Sequence, residues 1–535
     1  MPVTSARTLG AAELRQLIVA GSELALLDPR ETGVFNKGHL LFAVNLPLSR
    51  LELRIDDLVP RLDVPVILCA GAGDDVLVQL GAERLSRFGY TDISYLEGGV
   101  GAWADAGFEV FSGVNVPSKA FGEFIEEADG TPHIPAAELK AMQDGGDNLI
   151  VLDSRPMAEF RRISIPGGID VPGAELVYRV HDLAPDPATT VVVNCAGRTR
   201  SIIGAQSLIN AGIPNRVVAL ENGTMGWHLA GLELDHGRES SFSSITDTGA
   251  ARAQAAGQEV ARRFDVPEVS KQTLADWQGD TSRTTYLLDV RDPAEYTAGH
   301  QAGARSAPGG QLVQATDEYV GVRGARLVLT DNDGVRATMT ASWLIQMGWA
   351  DVYVLSGGLE ATGLETGPRR ARIRGLEDCR PESITPAELA AMMEQGDAVV
   401  VDLANSLHYN KGHIAGAWFA IRSRMPENLD NLPAAPMLVL TSKHGLLPRL
   451  AAAEAEASGR EVRVLEGGTD AWVDAGLPVD AGFINMADEP EDRWYKPYDL
   501  EEGDRNAMKE YLSWEVDLVG QIERDGTAGF RRFPE

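Results

Sequence analysis

Four times along the chain a run of apolar residues closes on an aspartate: ALLD at Asp28, IVLD at Asp153, YLLD at Asp289 and VVVD at Asp402. Short continuous runs of this kind, ending in a polar turn, predict strands buried on both faces. A second apolar run follows each one. The residue just after it (Cys69, Cys195, Asp331 or Ser442) lies 40 to 42 residues beyond the aspartate. A third marker comes next in the forms YLEGGVGAW, ALENGTMGW, VLSGGLEAT and VLEGGTDAW. Its second glycine is Gly99, Gly223, Gly358 or Gly468, followed by Trp103, Trp227 or Trp472 as an expected packing contact, with Thr362 in the third repeat. Between the markers lie helical patterns such as AAELRQLI, GAERLSRFG, AAELKAM and PAELAAMM. Strands alternating with helices imply a parallel sheet covered on both faces. The expected fold is therefore α/β, with four tandem domains over residues 5–112, 130–236, 265–368 and 381–480.

Outside the repeats, residues 237–264 begin as a Ser-rich linker and become an Ala-rich helix, and 369–380 form an Arg-rich connection. Residues 481–535 form an extension whose NAMKEYLSWEVDLVGQIE segment predicts a helix. Its Met508, Tyr511, Leu512, Trp514, Val516, Leu518 and Val519 predict a face that docks on the domains.

A formal net charge of −30 repels phosphate backbones and anionic membranes, so neither nucleic acid nor a membrane is expected as a partner. An anionic substrate would need a local positive site. The three cysteines, Cys69, Cys195 and Cys379, are an odd number and widely spaced, which implies no disulfide framework. A reducing, cytoplasmic location is the expectation. No Cys/His spacing suits a metal, and no apolar run reaches the length of a membrane span.

The position after the second apolar run sits between a strand and a helix, where loop N–H groups and the helix N-terminus converge and favour an anion. A cysteine there is expected to have its thiol pKa drawn down toward neutrality. In the second repeat the loop reads Cys195-Ala196-Gly197-Arg198-Thr199-Arg200-Ser201. Arg198 and Arg200 are expected to stabilise the thiolate and to offer N–H forks to an anionic donor. Gly197 permits close backbone approach.

These segments resemble the rhodanese family of sulfurtransferases. The resemblance rests on D-x-R near each start, on the Gly-His and Gly-Ala pairs Gly299-His300, Gly303-Ala304, Gly412-His413 and Gly416-Ala417, on the six-residue loop, and on L-E-G-G-x-x-x-W. It implies a two-step reaction in which the thiolate takes sulfane sulfur from a donor such as thiosulfate. The resulting persulfide then passes that sulfur to cyanide, a small thiol or a protein acceptor. No metal or organic cofactor is implied. Cys195 is the expected nucleophile, with Ala196, Gly197, Arg198, Thr199, Arg200 and Ser201 as its substrate-binding and thiolate-stabilising loop. Asp153 and Arg155 organise the fold beside it.

The other loops read differently. Cys69 is a second candidate, but its loop carries Asp74 and Asp75 and no cation, which disfavours a thiolate. Asp331 cannot form a persulfide and would act as a built-in anion; Ser442 is too weak an acid for unassisted attack, and His444 lies two residues on. The third and fourth domains therefore read as inactive. The second departs from its sisters in having Arg161-Arg162 near the Gly-His position, either facing the site or solvated. The recurring His39, His300 and His413 read as packing residues. Two alternatives remain open: a binding scaffold with mostly non-catalytic domains, and a phosphatase of related fold, against which the short Cys-x4-Arg loop argues.

Overall fold

The computed structural model describes residues 7–71, 73–359, 363–499 and 504–533. Each of the four repeats is a five-stranded sheet, and its strands, counted in sequence order within the repeat, lie in the spatial order first, fifth, fourth, second, third. Every pairing within these sheets is parallel. The second repeat uses His133–Ile134, Leu149–Asp153, Ile169–Asp170, Thr190–Asn194 and Val217–Leu220. Its middle strand, Thr190–Asn194, is Val-rich because both of its faces are covered, and Val191, Val192 and Val193 have no measurable exposure. Thr362 lies outside the described residues.

The sequence markers turn out to be contacts. In the first three repeats the Asp-x-Arg pair folds back on itself: Arg30, Arg155 and Arg291 each place Nη2 2.6–2.7 Å from the Oδ2 of Asp28, Asp153 and Asp289. The same Nη2 donates to the carbonyl eight residues on, at Gly38, Ile163 and Gly299. The indole Nε1 of Trp103, Trp227 and Trp472 donates to the carbonyls of Glu109, Glu233 and Pro478, closing the C-terminal turn of the first, second and fourth repeats. His39, His300 and His413 stack on Phe35, Tyr296 and Tyr409 and bond backbone carbonyls through Nδ1, which is a packing role.

The repeats share cores. Tyr286 and Leu288 of the third repeat pack in one cluster with Ile55 and Leu58 of the first, and Tyr286 Oη donates to Leu58 O. Glu52 of the first repeat is buried against Arg422 of the fourth at 2.8 Å and against Arg84 at 3.1 Å. Two connecting helices were sequence-legible only in part. Asp247–Arg263 is the Ala-rich helix of the linker. Val116–Asp129, between the first two repeats, has no expected counterpart, and it forms a hub. Its Phe121 meets Trp343 and Phe530, and its Gly122 lies against Thr199 so closely that a Cβ would sit 2.9 Å from that side chain.

Packed on this hub is the C-terminal helix, Arg505–Asp525, which starts at the Asp504 cap and ends at left-handed Gly526. Its buried stripe is Met508, Leu512, Glu515, Leu518, Ile522 and Asp525, a spacing of three and four. Val516, expected on the docking face, is instead 50% exposed, because it falls on the opposite side of that stripe. No described helix is long and apolar enough to cross a membrane.

In the fourth repeat Asp402 has lost the arginine partner, since Ala404 stands where the others have Arg, and burial pushes its carboxyl up to about 7. A carboxyl raised in the folded state contributes stability that is fully present below its ordinary value and is lost as pH rises through about 7. The Asp402→Asn variant escapes that loss. Its melting temperature relative to the parent should climb by several degrees between about pH 5 and about pH 8.5, on the order of a few kcal/mol. Thermal melts across that range check it.

Candidate active site

Cys195 follows the middle strand of its sheet and precedes the helix Thr199–Asn210. Its side chain is buried, and its Sγ donates to Ser201 Oγ at 3.5 Å. The loop backbone is held from the side of the glycine marker. Thr224 N and Oγ1 donate to Cys195 O at 2.8 and 2.9 Å, and Met225 N to Ala196 O at 3.0 Å. Gly223 has φ +53, and a Cβ there would lie 2.4 Å from Cys195 O. Gly99, Gly358 and Gly468 meet their own loops the same way, with a Cβ 2.2 Å from the carbonyls of Ala70, Asn332 and Ser442. On the other side Asn194 Nδ2 donates to Asp153 Oδ2 at 2.7 Å, and Arg155 fixes that carboxylate.

The third repeat displays what such a loop holds. Asp331 occupies the cysteine position; its Oδ1 accepts from Asp333 N at 3.2 Å and Gly334 N at 2.5 Å, and its Oδ2 from Ala337 N at 2.9 Å. Burial pushes this carboxyl up, while Arg336 and the Ala337 and Gly334 amides pull it back toward the charged form. Counted along the loop, these amides correspond to Gly197, Arg198 and Ser201. The second repeat thus has the same frame for an anion, with a sulfur in place of the carboxylate.

The two loop arginines divide. Arg200 forks onto Glu159 at 2.8 Å, as Arg336 does onto Glu295, and its charge acts on the Cys195 sulfur. Arg198 turns away from the expected role. It pairs with Glu123 at 2.8 Å and with Glu126, both on the hub helix, and those carboxylates spend its charge. The expected depression of the thiol pKa is also not found. Burial pushes the Cys195 thiol up; Arg200 and the Ser201 side chain and backbone pull it down, and the Glu515 carboxylate pushes it up again. Thr199 is buried with Oγ1 lacking a hydrogen-bond partner among the described residues, and Ala196 packs on Tyr498, Met508 and Leu512. Arg161 is an exposed partner of Glu239, whereas Arg162 clamps the extension through Asp499 and Tyr498 O.

Cys195 faces a cavity of about 300 Å³ to which several parts of the chain contribute. Lys119 comes from the hub helix, Gln311 and Gln314 from the third repeat, and Lys496, Tyr498, Tyr511 and Glu515 from the extension. Sequence reasoning missed this wall, because its residues meet only through tertiary packing. The cavity's cations include Arg198, Arg200, Lys119, Arg493 and Lys496, and the carboxylates of Glu159 and Glu515 stand among them. Lys119 is nearly fully buried beside the rings of Trp494, Tyr511 and Trp514, and burial lowers it to about 8.

The remaining loops lack this arrangement. Cys69 Sγ donates back to Leu27 O at 3.7 Å; burial and Asp28 push its thiol well up. Where the second repeat has Arg200, the first has Asp74, whose Oδ2 accepts from Gly71 N at 2.9 Å and so occupies part of the loop's own anion frame. Ser442 has no pairing with His444, which instead reaches Asp470 at 2.9 Å. Cys379 lies in the Arg-rich connection and donates to Gly375 O.

Such a sheet order, with an anion-framing loop after the middle strand in each of four repeats, defines a tandem α/β array with one cysteine loop open to a cavity. The chain belongs to the rhodanese-like domain family, which matches residues 10–106, 135–230, 270–363 and 385–475. A solved structure of a thiosulfate sulfurtransferase from Pseudomonas aeruginosa is 49% identical, covers 99% of this chain and 100% of its own, and superposes with a TM-score of 0.94. Among curated relatives, an HTH-type transcriptional regulator, Rv0324, of Mycobacterium tuberculosis is 34% identical over 110 residues, which are 20% of this chain and 47% of that protein. A thiosulfate sulfurtransferase GlpE of Glaesserella parasuis is 28% identical over 101 residues, 19% of this chain and 94% of that protein. The chain thus spans less than half of the first of these relatives.

The division of the arginines is testable in a Cys69→Ser, Cys379→Ser background, where Cys195 is the one thiol left. Arg200→Met should move the titration of Cys195 upward by about one pH unit or more. Arg198→Met should leave it near the parent's while lowering the melting temperature, because Glu123 and Glu126 lose their partner. Alkylation rate against pH reads the first effect and thermal melts the second.

Proposed function

We propose that this chain is a sulfurtransferase that carries sulfane sulfur as a persulfide on Cys195. The donor is thiosulfate or a compound like it, and the acceptor is cyanide or a thiol. One observation supports the reading above others: of the three cysteines, Cys195 alone combines the amide frame, a facing arginine and a cavity able to take a donor. The likeness to the Pseudomonas aeruginosa thiosulfate sulfurtransferase extends over the whole chain and supports the same chemistry.

In this reading the donor's oxyanion lies toward Arg200, Lys119 and Lys496, and its outer sulfur toward Cys195. Attack by the Cys195 sulfur forms a new S–S bond and breaks the donor's, with the electron pair leaving on sulfite. The amides of Gly197, Arg198 and Ser201 then receive the negative outer sulfur, as the Asp331 loop receives a carboxylate. The first, third and fourth repeats serve as wall and frame, without turnover of their own. Three unpaired cysteines fit a reducing compartment such as the cytoplasm.

Incubation with thiosulfate should add one sulfur to the Cys195 peptide by mass, and cyanide should then release it as thiocyanate. Cys195→Ser should abolish both, and Cys69→Ser should retain most of the parent's rate. Activity that survives Cys195→Ser but disappears in Cys69→Ser would overturn the assignment.

A further inference from the structure

Independently of the Cys195 reading, we propose that Arg323 of the third repeat anchors a second binding site, one that takes a small organic carboxylate with a short apolar tail. The residue stands where the first and third repeats meet. Its backbone N donates to Leu24 O at 2.9 Å and its O accepts from Leu24 N at 3.2 Å, so its place is fixed from both sides. The next residue, Gly324, has φ +75 and runs so close to the first repeat that a Cβ there would lie 2.9 Å from Gly21 O. The guanidinium is held against two rings: its central carbon is 3.8 Å from the Phe42 centroid and 4.9 Å from that of Trp349.

Ring contact answers part of the charge and none of the five N–H donors. Among the described residues no carbonyl or side chain accepts from the guanidinium, and no carboxylate pairs with it. The other deeply placed arginines are held differently. Arg84, Arg155, Arg291, Arg336 and Arg422 each meet a carboxylate at 3.1 Å or less. In a chain with 78 acidic side chains, an arginine withdrawn from water without one of them is costly unless an outside anion completes it. Burial, with no acid to oppose it, lowers this guanidinium to about 10.

The space beside it suits such an anion. Arg323, Phe42 and Trp349 line two cavities, of about 50 and about 90 Å³, and the guanidinium nitrogens keep access to that space. Most of the wall of the smaller one is apolar, with Phe35, Leu41, Val44, Val116, Val320 and Met347. One fixed N–H fork in an apolar recess selects a carboxylate head followed by carbon over a hydrated inorganic oxyanion. A recess of this size admits only a few heavy atoms. Two titratable groups share it. His39, lowered to about 4 by burial, stays neutral. Asp317 makes no pair with Arg323; burial and Glu318 push its carboxyl up to about 7, so below that pH it offers a ligand an O–H in place of a second negative charge. Asn115 lines both this cavity and that of Cys195, so the two sites share a wall without sharing a cation.

The test is calorimetric titration with parallel thermal melts on the full chain, at about pH 6 and constant ionic strength. Propionate is the probe, propionamide its uncharged counterpart and sulfate the inorganic control. Propionate should bind at one site per chain and raise the melting temperature by about 2 °C or more at saturation. Propionamide should bind about tenfold more weakly or worse. Arg323→Met should lose the propionate signal, and Asp317→Asn should keep it. Should Arg323→Met fold poorly, Arg323→Lys carries the test: it keeps the charge but not the fork, and should weaken propionate about tenfold. Propionate that does not bind the parent, binds no better than propionamide, or binds the arginine variants as well as the parent overturns the assignment. Sulfate bound at Arg323 in propionate's stead overturns the ligand class.

Discussion

Nothing larger than a hydrogen atom fits between Gly223 and the carbonyl of Cys195, and the rest of the site follows from that approach. It brings Thr224 and Met225 N–H onto the carbonyls of the loop, while the Ser201 backbone N–H serves the sulfur. From the opposite edge Asn194, Asp153 and Arg155 fix where the strand ends. With both flanks held, the frame is built before any substrate arrives, and the third repeat, where a carboxylate occupies that frame, shows it unchanged in purpose.

The repeat itself was legible because each marker is a local necessity. A buried strand must be apolar, the doublet glycine must lack a side chain, and the tryptophan must find a carbonyl six residues on. What lies between repeats was not. Lys119 and Glu515 are almost four hundred residues apart and meet only because two helices pack side by side, a contact that no local periodicity announces. The arginines failed for a different reason. Residues two apart at a helix start point about 200° apart, so Arg198 and Arg200 cannot both face one sulfur. Charge along a sequence is visible; desolvation is not, which is why the thiol moves up where the arginines suggested down.

Divergence among the four loops has a common logic. The frame attracts negative charge, and the first and third repeats supply some of their own. Asp331 fills it by substitution at the cysteine position, and Asp74 leans into it from the arginine position. The second repeat keeps a cation at that position and sends its carboxylate, Glu159, to hold the cation in place. Between the first and second repeats, one residue five places after the cysteine separates a loop with a cation at that position from one whose own carboxylate leans into the frame.

Glu52 has a wider meaning than a single ion pair. It sits with Arg84 in the first repeat and takes Arg422 from the fourth, while Glu454 of the fourth reaches back to both arginines. Detaching either partner would leave charge stranded away from water, which is far more expensive than never having buried it. A four-membered lattice of charge of this kind ties the first and fourth repeats into one unit, so neither can be peeled away without exposing the other's half of it.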